Sequence, residues 1–213
     1  GTGGGELLRP EIRTVTNPAT KDRELVLLSN GHYSLMLTAT GSGYSRWNNL
    51  SVSRWKADPT EDRWGQFIFL RDTTSGEWWS TTAEPRRAEG EQTKTVFGDE
   101  KAEFHKTVGE LTSTVEVIVG TEHDAEGRRV TLLNMGDEDR FIEVTSYMEP
   151  VIAGDDGDSG HPVFSRMFIR TEIGKRGDVI RAWRNKRDLS DPDMIVAHLA
   201  ADNAGSSRPT EYE

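Results

Sequence analysis

Residues 41–80 read GSGYSRWNNLSVSRWKADPTEDRWGQFIFLRDTTSGEWWS and hold five of the chain's six tryptophans, interleaved with arginines, aspartates, glycines and hydroxyl side chains. Flat indole and phenol rings cover the apolar C–H face of a pyranose, while Arg, Asp, Asn and Gln beside them hydrogen-bond its hydroxyls. The mixture therefore suits a sugar-facing surface. The same rings also suit the core of a β-sheet protein. Within the stretch, residues 66–71 (QFIFLR) and 77–81 (EWWST) flank Asp72-Thr73-Thr74-Ser75-Gly76, a turn composition, which predicts a hairpin. Trp78 and Trp79 are neighbours on a strand and must face opposite sides, so one of them belongs to the core.

Outward from this hairpin, strand signals follow one another. Residues 24–28 lead through Ser29-Asn30-Gly31 into residues 33–38, an Asn-Gly hairpin that runs on to the glycine turn at Gly41-Ser42-Gly43. Residues 92–97 and 101–107 bracket Gly98-Asp99-Glu100. Residues 111–119 alternate, with Leu111, Val115, Val117 and Val119 on one face and Thr112, Thr114 and Glu116 on the other, which is the mark of a half-buried strand. Residues 128–134 and 140–148 form another pair, the second placing Ile142, Val144 and Met148 on one side. Residues 164–171 and 179–184 follow. Residues 193–201 fit two structures: a helix capped by Ser190 or Asp191 with Pro192 in its first turn, or a buried strand. Short, regularly spaced strands without a 3.6-residue pattern predict an all-β sandwich or barrel of antiparallel hairpins.

A chain of 213 residues accommodates one β-rich domain, and no linker divides it. Residues 1–23, rich in Gly, Pro, Thr and Asn, read as a leader, loosely ordered or lying along the surface and in part foreign to the natural protein. Residues 24–213 then form a single β-sandwich domain, expected to be a fragment of a larger enzyme. The net charge of −10 argues against a nucleic-acid or anionic-membrane surface. The local basic cluster from Arg181 to Arg187 reads as a solvated strand end. With no cysteine, thiolate catalysis and zinc–thiolate sites are excluded, and the composition fits a reducing compartment. No apolar run approaches the roughly 20 residues that span a bilayer.

Several motifs point to chemistry and then fail on their own requirements. Gly157-Asp158-Ser159-Gly160-His161-Pro162 imitates the nucleophile loop of chymotrypsin-like proteases, but His32, His105 and His123, the histidines upstream of it, lie in no matching motif. The carboxylates of Asp155, Asp156 and Asp158 lack the spacing of a calcium loop. Glu143, Glu149 and Asp72 could belong to a glycosidase pair, but sequence does not show the separation such a pair needs. The sequon Asn49-Leu50-Ser51 matters only in a secretory pathway.

Taken in order, Gly43-Tyr44-Ser45, Ser53-Arg54-Trp55, Trp64-Gly65, FIFLRD at residues 67–72 and GEWWS at residues 76–80 resemble the N-terminal β-domain of the cellobiose and chitobiose phosphorylase family. The resemblance is closer to the phosphorylase-like C-terminal region of cyclic β-1,2-glucan synthases. LLSNGHYSLMLT before these blocks, and RRVTLLN, EVTSYMEPV and HPVFSRMFIRTE after them, extend the likeness over nearly the whole chain from Leu25 onward. The Gly41-Ser42-Gly43 turn and the loop at residues 155–159 depart from the family.

The resemblance implies an antiparallel β-supersandwich of the galactose mutarotase-like type, lacking its last strands or carrying an exposed edge. It also turns residues 193–201 from helix to strand. In that family the catalytic acid and most phosphate and substrate contacts belong to a following helical barrel. The expected role here is a non-catalytic domain that binds or orients a β-glucan or gluco-oligosaccharide and packs against that barrel, with a homodimer as a further partner. The expected setting is the cytoplasmic side of an inner-membrane protein. Neither cofactor nor metal is expected, and no catalytic residue. Tyr44, Trp47, Trp55 and Trp64 would supply stacking faces, and Arg46, Arg54 and Asp72 would hydrogen-bond sugar or orient the loops. Two rivals remain: a mutarotase-like epimerase using His105, His161 or Glu149, and a purely structural interdomain or dimerisation scaffold with a buried aromatic cluster.

Overall fold

The structure, a computed structural model, describes residues 11–16, 18, 24–55, 63–154, 168–186, 189 and 193–203. Among them there is no helix, and the strand pairings within each unit are antiparallel, as expected. The chain forms two compact units, Gly1–Asn48 with Trp55–Met148, and Asn49–Arg54 with Glu149–Glu213.

The first unit holds β1 (Arg13–Val15), β2 (Leu25–Ser29), β3 (Tyr33–Thr38) and β4 (Gly43–Trp47), then β6 (Phe67–Asp72), β7 (Trp78–Ser80), β8 (Gln92–Phe97), β9 (Lys101–Val108), β10 (Leu111–Val119), β11 (Glu126–Asn134) and β12 (Ile142–Tyr147). One layer runs β1-β8-β9-β10-β11; strands ordered β2-β3-β4 and β12-β6-β7 supply the other faces. Period-two alternation sends Val26 and Leu28, Leu35 and Leu37, Ile68, Phe97, Phe104, Val115 and Val117 into one shared core. Leu70, Trp79 and Leu111 form a second cluster. Trp79 is 1% exposed and Trp78 is 42% exposed, the split that adjacent strand positions require.

The turns explain themselves locally. Asn30 Oδ1 accepts the N–H groups of His32 and Tyr33 at 2.9 and 2.7 Å, an Asx turn, and Gly31 beside it takes a φ of +94° that side-chain-bearing residues avoid. β1 lies inside the stretch expected to be a leader; it adds to β8 with Arg13 opposite Phe97. The pairing expected between residues 128–134 and 140–148 is not formed, β11 pairing with β10 and β12 with β6. Ile142 and Val144 share a side, as expected, but opposite Asp72 and Leu70 of β6. That side is only partly covered. β11 and β12 are the outer strands of their sheets among the described residues, and inward-facing Leu132 and Val144 stay 36% and 49% exposed.

The second unit holds β5 (Leu50–Ser53), β13 (Pro150–Gly154), β14 (Ile169–Ile173), β15 (Val179–Arg184) and β16 (Ile195–Leu199). β5 pairs with β13 across an irregularity between Pro150 and Ala153, and β14-β15-β16 form a three-stranded sheet. Residues 193–201 thus contain a strand, settled by the pairing of β16 with β15. Of the strand expected at residues 164–171, the described part begins β14 at Ile169; residues 164–167 lie outside the described residues.

Candidate functional site

The β3–β4 turn is tight: Thr38 N–H donates to the Ser42 carbonyl at 2.9 Å and Gly41 N–H to the Thr38 carbonyl at 3.0 Å. β4 then passes so close to β3 that a Cβ on Gly43 would overlap the Met36 carbonyl oxygen. The Gly43 N–H donates to the Trp64 carbonyl at 2.9 Å, which draws Trp64 to the start of this strand. Along β4, Tyr44 and Arg46 point to one face and Ser45 and Trp47 to the other. Tyr44 meets Trp55 with ring centroids 5.4 Å apart and planes tilted by 59°. Trp55 keeps 38% of its surface exposed, while Tyr44, Arg46 and Trp64 are half-buried.

Trp47 is on the opposite face. Its indole N–H donates to Asp124 Oδ2 at 2.6 Å, tying β4 to the loop between β10 and β11. Ser45 and Tyr33 donate to Glu126 Oε2 at 2.6 and 3.0 Å, and Arg128 holds Oε1 at 3.0 Å. Burial first, and then the Glu126 charge, push the Tyr33 phenol far above its usual range. Four expected stacking rings therefore resolve into a Tyr44–Trp55 pair, a Trp64 held by its backbone carbonyl to the start of β4, and a Trp47 anchored elsewhere.

Two of the expected polar contacts are occupied within the protein. Arg54, 2% exposed and in the second unit, donates through Nε to Glu149 Oε1 at 2.8 Å and through its backbone N–H to the Glu149 carbonyl at 3.0 Å. Asp72, 6% exposed, accepts the Thr74 and Ser75 N–H groups through Oδ1 and Arg140 through Oδ2. The Ser75 N–H, then those of Thr74 and Arg140, hold its carboxyl below the usual carboxylate range. Arg71, its chain neighbour, reaches instead to Glu143 at 3.8 Å. Each candidate for a glycosidase pair thus faces a cation: Asp72 faces Arg140, Glu143 faces Arg71 and Glu149 faces Arg54. His105 lies on β9 between Glu103 and Thr114, each 3.2 Å from a ring nitrogen. His161 and the Gly157–Pro162 loop lie outside the described residues, as does the acidic loop at residues 155–158. Among the described residues no cluster of His, Asp and Glu could hold a metal.

Sequence reasoning did not single out the neighbourhood of Trp78. Phe69 meets its ring edge-on at 5.7 Å, and the Arg86 guanidinium stacks over it at 3.9 Å. The alternation of Trp78 with Trp79 was the available signal, but Arg86 comes from a turn whose path sequence does not show.

A family model described as the glycosyl hydrolase 94 supersandwich domain matches residues 9–213. The chain is 70% identical to the cyclic beta-(1,2)-glucan synthase NdvB of Rhizobium meliloti (strain 1021) over 213 residues, 100% of this chain and 8% of that protein. It is 25% and 24% identical to the N,N'-diacetylchitobiose phosphorylases of Vibrio proteolyticus and Vibrio furnissii over 127 residues, 57% of this chain and 16% of each of theirs. The chain spans between 8% and 16% of the length of these relatives.

Proposed function

The chain belongs to the glycosyl hydrolase 94 supersandwich-domain family, and on that premise we propose that it is a non-catalytic domain of a cyclic β-1,2-glucan synthase or related glycoside phosphorylase. In this reading it binds and orients a glucan chain and supports a separate helical-barrel catalytic domain, on the cytoplasmic side of a membrane-bound protein. The observation that carries the binding role is the Tyr44–Trp55 ring pair, held on one face of β4 with Trp55 still 38% exposed. An indole open to solvent offers an apolar face for a pyranose, and Arg46 on Tyr44's side of the strand is a donor for hydroxyls. Arg54 and Asp72, committed to Glu149 and Arg140, orient the chain around them.

Titrating the domain with β-1,2-linked gluco-oligosaccharides, followed by tryptophan fluorescence and calorimetry, tests this. Replacing Trp55 with alanine is expected to weaken binding about tenfold, equivalent to about 1.4 kcal/mol. No signal at millimolar sugar would remove the binding role and leave the packing role alone.

A further inference from the structure

Trp183, the one tryptophan outside residues 41–80, sits in the second unit in a setting of its own. Register places it on β15 between Arg170 of β14 and Ile195 of β16, and places Arg181 on the same face between Glu172 and Ala197. The alternate residue Arg184 turns to the other side, where its guanidinium donates to the Val151 and Ile152 carbonyls at 2.6 and 2.9 Å. These bonds fix the end of β15 and so the direction in which Trp183 faces. Beside Trp183 lies an open groove of about 470 Å³, lined also by Glu172, Arg181, Arg184, Asn185, Met194 and Ile195, with the Lys186–Asp193 ion pair at 3.2 Å on its rim.

We propose that this cleft is a second carbohydrate subsite, taking a neutral oligosaccharide with Trp183 as its stacking face; the proposal rests on the carbohydrate reading above. Glu172, Arg181, Asn185, Asp193 and Ile195 are exposed, so the groove is open along its length, as a surface that an oligosaccharide lies along must be. Trp183, Met194 and the 65%-exposed Ile195 make an apolar strip for the C–H face of a pyranose. Around that strip, Arg181 and Lys186 donate, Glu172 and Asp193 accept, and Asn185 does both. Sugar hydroxyls are at once donors and acceptors and so use all three kinds. Two acidic groups stand among the cations: Glu172 lies across from Arg181, and Asp193 meets Lys186, while the Arg184 guanidinium is bound to the Val151 and Ile152 carbonyls. The basic cluster from Arg181 to Arg187, which reads from sequence as a solvated strand end, thereby gains a use for its first residues.

Hydroxyl-radical footprinting of the intact protein, read peptide by peptide by mass spectrometry, reports on the two sites separately. With a millimolar β-1,2-linked gluco-oligosaccharide, oxidation of Trp183 and Met194 is expected to fall about threefold, as at two-thirds occupancy, and to do so equally in a Tyr44→Ala variant. In Trp183→Ala the protection of Met194 is expected to vanish, and in Trp183→Tyr to persist. Glu172→Gln, which keeps the cleft's shape, is expected to reduce the protection, and it provides the test if Trp183→Ala fails to fold. Protection of Trp55 without protection of Trp183 and Met194 overturns this proposal and leaves the Tyr44–Trp55 reading standing. Protection of neither group overturns both. Protection of Trp183 by inorganic phosphate in place of the sugar overturns the assignment in favour of an anion site.

Discussion

Replacing Asp72 separates a loop-orienting carboxylate from one that touches sugar. Its Oδ1 accepts Thr74 N–H at 2.8 Å and Ser75 N–H at 3.2 Å, and its Oδ2 accepts Arg140 Nε at 2.9 Å and Nη2 at 2.7 Å. Hydrogen bonds to a charged group contribute about 1.5–3 kcal/mol each when the partners stay buried, but Arg140 is 28% exposed and regains water once released. Asp72→Ala is therefore expected to cost about 3 kcal/mol, not the sum of the bonds. Asp72→Asn keeps an oxygen for the turn and loses the ionic half, costing about 1.5 kcal/mol. For a chain of this length these correspond to falls in Tm of about 6–12 °C and 3–6 °C.

The pH dependence has a definite sign. Because the folded carboxyl is held below its ordinary 3.8, its contribution is complete above that value and is lost as the pH falls through the lower folded one. Thermal and urea melts of the two variants at neutral and acid pH, set beside sugar titrations, provide the assay. An Asp72→Ala cost below about 0.5 kcal/mol would refute the turn-holding role. So would an Asp72→Asn protein of full stability that has lost sugar affinity, since the carboxylate would then act on the ligand.

Other outcomes follow from the same structure. Lys106, fully buried, meets Glu91 at 2.7 Å with Glu91 only 9% exposed; Lys106→Met alone is expected to cost about 3 kcal/mol by stranding a carboxylate, and adding Glu91→Gln to recover most of it, as read by urea denaturation. Burial lowers the Lys106 pKa despite Glu91, so the unfolded chain binds this proton more tightly, and wild-type stability should gain from this group as the pH rises toward the ordinary 10.5. Gly43→Ala, forced against the Met36 carbonyl, is expected to lose about 3 kcal/mol and to shift Tyr44 against Trp55; an unchanged melt and fluorescence spectrum would contradict the close approach of β4 to β3.

Sequence was enough for the class of fold, because side chains alternate with period two wherever a strand is half-buried. β3, β8, β10 and β15 begin and end where the pattern predicts. It did not show β4 as a strand. Tyr44, Ser45, Arg46 and Trp47 carry no apolar alternation, and only their ladder to β3 makes them one. Nor did residues 193–201 declare themselves by periodicity, since a short apolar run fits helix and strand alike until a partner strand is present.

The aromatic stretch carried the family resemblance through its ordered blocks, while its composition fitted a sugar-facing surface and a β-sheet core alike. Which of its side chains are already engaged was settled by partners far along the chain: Asp124 takes Trp47, and Arg140 takes Asp72, 77 and 68 residues away in sequence. Composition reports what a side chain can bond. Only the folding back of distant strands decides which of those bonds are already made, and so which groups remain for a ligand.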